Sequence, residues 1–172
     1  MDLGCGKGRY CLPLSKKYEI FGTDVSITAL GKLEKKAEDR NISLPLFHSS
    51  ATHIPFRDES FDAVLCTGVL QHLLENERKE TADEITRVLK PEGILFLEAF
   101  GRDDFRYGGD EIEPHTFARK NGIIYHYFTK DELKELFWSF EYIDFKEEKK
   151  EKIFHGKRYS RHSIFFVAMK NA

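Results

Sequence analysis

The sequence contains few cysteines and no long hydrophobic run. Its three cysteines (Cys5, Cys11 and Cys66) form no Cys-x-x-Cys pair, so the sequence predicts neither a disulfide framework nor a zinc site. The most apolar stretches, residues 93–100 and 164–169, are far too short to span a bilayer, and no basic-then-apolar leader opens the sequence. We therefore expect a protein of the reducing cytoplasm, without a membrane segment or a bound metal.

Charge of one sign does not dominate the composition. The 172 residues carry a net charge of −2, which argues against a protein that binds nucleic acid through its overall charge. Residues 146–162 differ, because seven lysines and arginines outnumber three glutamates there and leave a local charge of +4. With 41% hydrophobic and 13% aromatic residues, the chain has enough apolar material for a single domain over residues 1–172.

Short apolar runs alternate with amphipathic stretches, which predicts an α/β fold with a doubly wound, Rossmann-like and mostly parallel sheet. Ser26 is a suitable N-cap for the second helix, and the sequence Lys90-Pro91-Glu92-Gly93 stops the third. The predicted strands are residues 1–3, 18–22, 44–47, 61–66 and 94–100, and the predicted helices are residues 9–17, 26–40 and 75–89.

The last third of the chain departs from this alternation. Residues 102–127 form a segment much longer than the usual connection of about 2–6 residues, so we expect an irregular insertion that acts as a lid. Thr129 and Glu132 then have the spacing of a capping box, which predicts a helix. Two alternating runs, residues 140–147 and 163–169, predict an antiparallel C-terminal hairpin.

The first predicted strand is unusually short. Three residues are too few for the centre of a sheet, where about 5–6 residues per strand are usual. We expect a truncated first strand: either the reading frame begins upstream of Met1, or a leading helix and half of the strand have been lost.

The strongest functional signal is the glycine-rich loop Asp2-Leu3-Gly4-Cys5-Gly6-Lys7-Gly8, between a predicted strand and a predicted helix. Glycines let the chain turn tightly and let a ligand approach the backbone. Asp24 lies at the end of the second strand, and an acidic side chain at that spacing accepts hydrogen bonds from ribose hydroxyls. The alternative role of Asp24 is to cap the helix that follows.

The same loop distinguishes between two classes of cofactor. A dinucleotide site needs a third glycine where this chain has Arg9, and the Asp2 carboxylate would repel a pyrophosphate. That carboxylate instead suits a cationic ligand with an ammonium group. The residues therefore favour a sulfonium cofactor with an amino-acid tail over NAD.

With these motifs the sequence resembles the class I S-adenosylmethionine-dependent methyltransferases over nearly its whole length. Residues 2–8 resemble the first motif of that family, and residues 22–26 resemble its ribose-binding strand end. Residues 49–73 resemble its adenine loop, fourth strand and following helix, and residues 87–97 resemble the helix, turn and strand after it. The resemblance implies S-adenosyl-L-methionine as the cofactor. The implied binding residues are Asp2, Gly4, Cys5, Gly6 and Thr67 on the methionine side, and Asp24, Val25, Ser50 and Ala51 on the ribose and adenine side.

The sequence departs from the family at two places. Ser50 stands where the family usually has an acidic residue, and a serine hydroxyl accepts a hydrogen bond from the adenine amino group more weakly, by ~1 kcal/mol. The front end lacks the helix that normally covers the cofactor pocket.

Methyl transfer needs alignment and a dry site, and it needs a base only when the acceptor atom holds a proton. His72 and Tyr127 are the candidate catalytic residues, with His126 and His115 as further candidate bases. Each has a structural alternative. A histidine at position 72 often starts a helix or packs, and the aromatic residues 125–128 are typical of a core as well as of a lid.

Two features bear on the methyl acceptor. Gly8-Arg9 with Leu12 and Leu14, and the stretch at residues 127–136, resemble the small methyltransferases of the tellurite-resistance and thiopurine type, which implies a small-molecule acceptor. The alternative acceptor is a transfer RNA, for which the basic stretch at residues 146–162 would contact phosphates. The same stretch is equally explained as a solvent-exposed hairpin of mixed charge. A third alternative is a degenerate cofactor-binding domain without activity.

Overall fold

The structure, a computed structural model, describes residues 1–154 and 156–172 and consists of ten strands and four helices over those ranges. The strands are β1 (Asp2–Leu3), β2 (Gly22–Asp24), β3 (Leu46–His48), β4 (Phe61–Thr67), β5 (Leu89–Phe100), β6 (Asp110–Glu113), β7 (Thr116–Ala118), β8 (Ile124–His126), β9 (Phe140–Phe154) and β10 (Lys157–Lys170). The helices are α1 (Cys11–Leu14), α2 (Ile27–Glu38), α3 (Glu75–Val88) and α4 (Lys130–Leu136), with a 3-10 turn at Leu70–His72.

The main sheet has seven strands in the order β3-β2-β1-β4-β5-β10-β9. The pairs from β3 to β5 are parallel, and β10 runs antiparallel to both of its neighbours. This is the predicted Rossmann-like sheet with an antiparallel C-terminal hairpin, and the prediction of fold class is confirmed.

Helices cover both faces of the sheet. On one face α1 and α2 enclose a small apolar cluster that includes Cys11 and Leu33. On the other face α3 and α4 pack on a larger core that includes Leu3, Ile85 and Phe137. None of the helices in residues 1–154 and 156–172 is long and apolar enough to cross a membrane.

The front of the chain differs in detail from the prediction. Helix α1 spans four residues instead of nine, and Pro13 lies within it, where its nitrogen has no hydrogen to donate. The strand predicted at residues 18–22 is wrong, because β2 begins only at Gly22. The reason is register: β1 has two residues, so just two positions of β2, Gly22 and Thr23, can pair with it, while Tyr18 stays 64% exposed.

The C-terminal half contains longer strands than the sequence predicted. Strand β5 begins at Leu89 and includes Lys90-Pro91-Glu92-Gly93. This sequence follows the end of α3, as predicted, but it belongs to the strand and coincides with an irregularity in the pairing of β5 with β4. Strands β9 and β10 extend the predicted hairpin by several residues each. Because Ser163 pairs with Phe100 at the end of β5, residues 149–154 of β9 and 157–162 of β10 extend beyond the carboxyl edge of the sheet. Residue 155, within the predicted basic stretch, lies outside the described residues.

The prediction of an irregular insertion at residues 102–127 is wrong. Strands β6, β7 and β8 form a separate antiparallel sheet within it. The dipeptide Asn121-Gly122 makes the turn between β7 and β8, with Gly122 at φ +80°. Asparagine-glycine is a strong hairpin signal because both residues tolerate positive φ, so this turn was readable from the sequence.

Candidate active site

The glycine loop leaves the centre of the sheet between β1 and α1. Gly4 has φ +70°, which favours glycine, and a Cβ on Gly4 would lie 2.3 Å from Cγ2 of Val69. The loop backbone therefore packs directly against the residue that precedes the 3-10 turn. A Cβ on Gly6 would meet nothing within 4 Å, so the backbone of Gly6 borders open space.

That open space belongs to a cavity of about 340 Å³ at the carboxyl edge of β1, β4 and β5. Five of the predicted cofactor residues line it: Asp2, Gly4, Cys5, Gly6 and Thr67. The other lining residues are Lys7, Arg9, Tyr10, Gly68, Gln71, Glu98, Phe100 and Arg161. The cavity thus joins the glycine loop to residues from β5 and β10.

Asp2 is the buried charge of this cavity, with 1% of its surface exposed. Its Oδ2 accepts a hydrogen bond of 3.1 Å from the Cys11 N–H, whereas its buried Oδ1 has no hydrogen-bond partner among the described residues. Burial raises the pKa of Asp2 to about 6. A buried acceptor of this kind is satisfied by a cationic or hydrogen-bond-donating ligand.

Asp24 ties the end of β2 to the glycine loop. Its Oδ2 accepts from the Gly6 N–H at 2.8 Å, and its Oδ1 accepts from the Ser26 N–H at 2.8 Å. Ser26 itself caps α2, because its hydroxyl accepts from the Ala29 N–H. A carboxylate has about four acceptor positions, so Asp24 retains capacity for two further donors.

The remaining predicted cofactor residues lie outside the cavity, on an open shelf formed by the ends of β2 and β3. Val25 is 70% exposed and its carbonyl oxygen lies 3.0 Å from Nε2 of His48. Ser50 is exposed and its hydroxyl lies 2.9 Å from that of Thr52, while Ala51 packs against the main core. The Ser49 N–H donates to the Asp24 carbonyl, which holds the shelf beside the loop.

The β5 side of the cavity contains functional groups that the sequence reading missed. The Tyr10 hydroxyl donates to Glu98 Oε2 at 3.1 Å, and burial followed by the Glu98 charge raises the pKa of Tyr10. Gln71 is 2% exposed, and its buried Oε1 has no hydrogen-bond partner in the described part of the chain. The sequence contained one signal for this side of the cavity: Glu98 is a charged residue within an otherwise apolar strand.

His72 and Tyr127, the predicted catalytic residues, do not line this cavity. The Nδ1 of His72 lies 3.1 Å from the Ile124 carbonyl oxygen, its ring is 5.2 Å from that of Tyr125, and burial lowers its pKa. Tyr127 is fully buried, and its hydroxyl accepts from Arg119 Nη2 at 3.1 Å. Both side chains connect the small sheet to its surroundings.

His126 and His115, the further candidate bases, line a second cavity of about 830 Å³ beside α3 and α4. Nε2 of His126 lies 2.5 Å from Glu132 Oε1 and its Nδ1 lies 2.7 Å from the Thr116 hydroxyl. His115 contacts the Tyr107 hydroxyl through Nδ1 at 2.6 Å. The structure therefore separates these two histidines from the cavity of the glycine loop.

A family model described as a methyltransferase domain matches residues 1–97, which include the glycine loop, Asp24 and strands β1 to β4. The chain belongs to the methyltransferase domain family. This family implies S-adenosylmethionine as the cofactor, and the predicted resemblance to class I S-adenosylmethionine-dependent methyltransferases is confirmed at the level of family and fold.

Known proteins similar to this methyltransferase-family chain include solved structures and longer enzymes. A crystal structure described as an S-adenosylmethionine-dependent methyltransferase from Methanosarcina mazei is 27% identical with a TM-score of 0.83, covering 99% of this chain and 91% of that one. TehB from Haemophilus influenzae is 21% identical with a TM-score of 0.74, covering 99% of this chain and 57% of TehB, which is a likeness of fold alone.

The similar curated sequences include tRNA N(3)-methylcytidine methyltransferase Mettl2 of Drosophila melanogaster, 27% identical over 146 residues, or 77% of this chain and 45% of that protein. The chain spans less than half the length of the curated relatives it matches.

Proposed function

We propose that this chain binds S-adenosylmethionine in the cavity of the glycine loop and methylates a small-molecule acceptor there. The observation that supports S-adenosylmethionine as the cofactor is the pair of carboxylates around the loop, Asp2 and Asp24. Asp2 presents a buried oxygen without a partner in the described part of the chain, and Asp24 holds Gly6 while keeping acceptor capacity. These groups fit a cofactor with an ammonium group and ribose hydroxyls, and they do not fit a pyrophosphate.

Each predicted cofactor residue has a place in this proposal. Asp2, Gly4, Cys5 and Gly6 accommodate the amino-acid part, and Thr67 borders the same cavity at the end of β4. Asp24 accepts from the ribose, and the exposed side chain of Val25 supplies an apolar surface for the adenine. Ser50 and Ala51 border the adenine on the shelf. S-adenosylmethionine, when bound, supplies an electrophilic methyl group.

The lining of the cavity favours Glu98 over His72 and Tyr127 as the group that takes a proton from the acceptor. Glu98 pairs with Thr67 across β4 and β5, and the Tyr10 hydroxyl orients its carboxylate. We propose that His72 and Tyr127 act indirectly, by holding the small sheet of β6, β7 and β8 next to the cavity as a lid that excludes water.

A transfer RNA acceptor is the second candidate, and the position of the hairpin favours it. Residues 149–154 and 157–162 extend beyond the carboxyl edge, and the second of these segments contains Arg161, which lines the cavity. Several of its cations are already paired, as Lys149 is with Asp103 and Lys150 with Glu148, which lowers the charge available for phosphates. The Drosophila relative is named as a tRNA methyltransferase, which supports the same candidate.

We also propose a cytoplasmic location, supported by three free, buried cysteines.

One experiment separates these functions. The protein is incubated with S-adenosylmethionine labelled in the methyl group and with a cell extract divided into molecules below about 3 kDa, RNA and protein. Isothermal titration calorimetry with S-adenosylhomocysteine and with NADH runs in parallel. We expect S-adenosylhomocysteine to bind, NADH to bind more weakly or not at all, and label to enter the low-mass fraction.

The other outcomes have defined meanings. Label in nuclease-sensitive material that falls steeply with salt would support the transfer RNA candidate. Binding of S-adenosylhomocysteine without transfer to any fraction would support a degenerate cofactor-binding domain. Tighter binding of NADH than of S-adenosylhomocysteine would contradict the cofactor assignment.

A further inference from the structure

A buried carboxylate positions an arginine at the far end of the cavity. The side chain of Asp104 is 0% exposed, and its Oδ2 accepts from Arg161 Nε at 3.0 Å and from the His162 N–H at 3.1 Å. Its Oδ1 accepts from Arg106 Nε at 2.8 Å. The insertion therefore fixes two guanidinium groups that come from different parts of the chain.

Within residues 1–154 and 156–172, the Arg161 guanidinium makes its hydrogen bond through Nε. Its carbon lies 5.2 Å from the centre of the Phe100 ring, and that of Arg106 lies 4.0 Å from the same ring. Among the described residues, the terminal nitrogens of Arg161 have no hydrogen-bond partner. The side chain is 27% exposed and lines the cavity of the glycine loop.

The strand register gives the order of the lining residues along the cavity. Thr67 pairs with Glu98, Glu98 with Phe165, and Phe100 with Ser163. Arg161 lies four positions beyond Phe165 on β10, which corresponds to about 13 Å of strand. Glu98 and Thr67 thus mark the end near the glycine loop, Phe100 lies between, and Arg161 marks the far end.

We propose that Arg161 is a specificity-determining residue that binds an anionic group of the methyl acceptor. A guanidinium held through Nε alone keeps its two terminal nitrogens for a carboxylate or a phosphate. Glu98 would repel an anion at the near end, so the anionic group lies at the far end. Asp104 is a positioning residue, because it acts through Arg161.

This inference rests on the proposed function for the statement that the ligand is the methyl acceptor. It identifies the class of acceptor as a molecule with a carboxylate or phosphate group that lies at the Arg161 end of the cavity. The Gln71 Oε1, buried and without a partner in the described ranges, is a second polar contact in the same cavity.

The test uses two matched pairs of probes: benzoate with benzamide, and cytidine 5′-monophosphate with cytidine. Dissociation constants are measured by 15N NMR titration of the protein saturated with S-adenosylhomocysteine. We expect the anionic member of at least one pair to bind about tenfold more tightly than its neutral partner. Arg161→Gln should reduce that ratio to about one, and the exposed control Arg57→Gln should leave it unchanged. The benzoate pair reports on a carboxylate and the nucleotide pair on a phosphate.

A ratio of about one for both pairs in the unaltered protein would overturn the proposal, and so would a ratio that survives Arg161→Gln. Should Arg161→Gln not fold, the unaltered protein is treated with phenylglyoxal, which modifies arginine. The anionic probe should then slow modification of Arg161 and the neutral probe should not; equal rates would overturn the proposal. Failure of S-adenosylhomocysteine to bind would count against the proposed function alone, because the anion preference is also measurable without it.

Discussion

The carboxylate of Asp24 accepts a hydrogen bond of 2.8 Å from the backbone N–H of Gly6, across 18 positions of sequence. One acidic side chain therefore holds the loop that borders the cavity in position. The ends of β1 and β2 are held together by this bond as well as by the sheet.

Asp24→Ala should weaken binding of S-adenosylhomocysteine about 10–100-fold, because charge-assisted hydrogen bonds worth ~1.5–3 kcal/mol are lost. Calorimetry measures the affinity, and thermal unfolding shows whether the variant folds. The control is Glu34→Ala, an exposed acidic residue of α2. An unchanged affinity in folded Asp24→Ala would remove Asp24 from the site.

Asp2 should make cofactor binding dependent on pH. Because burial raises its pKa to about 6, the carboxyl group becomes neutral in the free protein below that pH and loses its attraction for an ammonium group. The affinity for S-adenosylhomocysteine should fall as pH drops below about 6, by up to tenfold per unit. Asp2→Asn should bind weakly at every pH; a pH profile identical to that of the unaltered protein would contradict this role.

The same residue should lower stability at neutral pH. A carboxyl group whose folded pKa is raised binds more protons in the folded than in the unfolded state, so its contribution to stability is lost as pH rises from about 4 to 6. Asp2→Asn should therefore melt at a higher temperature than the unaltered protein at pH 7.5, and the difference should shrink near pH 4. Calorimetric melting at both pH values measures this, and a lower melting temperature at pH 7.5 would contradict it.

Asp104→Asn should reduce the free energy of unfolding by about 3 kcal/mol at pH 7, because Arg106 and Arg161 lose a buried partner. Urea unfolding measures the change. The matched control is its neighbour Asp103→Asn, whose side chain is 63% exposed and whose ion pair with the exposed Lys149 is screened by solvent, so this variant should lose much less stability. Equal losses of unfolding free energy in the two variants would show that the burial of Asp104 does not increase its contribution to stability.

The pH dependence of the Asp104 effect has a defined sign. Burial alone would raise the pKa of Asp104, but hydrogen bonds from Arg106 outweigh it and the pKa is lowered. The stabilisation is therefore present above pH 4 and is lost as the pH falls through the lowered value. The difference between Asp104→Asn and the unaltered protein should become smaller in acid.

His72→Phe tests whether His72 is catalytic or structural. The variant keeps a ring against Tyr125 and loses the hydrogen bond to the Ile124 carbonyl, which should cost about 1 kcal/mol of unfolding free energy. Affinity for S-adenosylhomocysteine should stay the same. A loss of transfer above about 100-fold with stability and affinity unchanged would restore His72 as the base.

The elements that could be predicted depend on neighbours in sequence. Helix α2 begins after Ser26 and α4 after Thr129, as their capping patterns predict. The glycine loop and Asp24 could be placed together because the carboxyl ends of adjacent parallel strands meet at one edge. The small sheet of residues 110–126 was missed although Asn121-Gly122 marked its turn.

The sequence by itself determined the class of fold and the glycine-loop half of the cavity, because the glycine loop, Asp2 and Asp24 belong to one local strand-turn-helix pattern and the strand after it. Only the tertiary structure decided the other half. Glu98, Phe100 and Arg161 meet there because β10 inserts antiparallel beside β5, and Asp104 reaches Arg161 across 57 positions of chain. Such contacts depend on strand register and on a buried charge finding its partner, and neither is encoded in the spacing of residues along the chain.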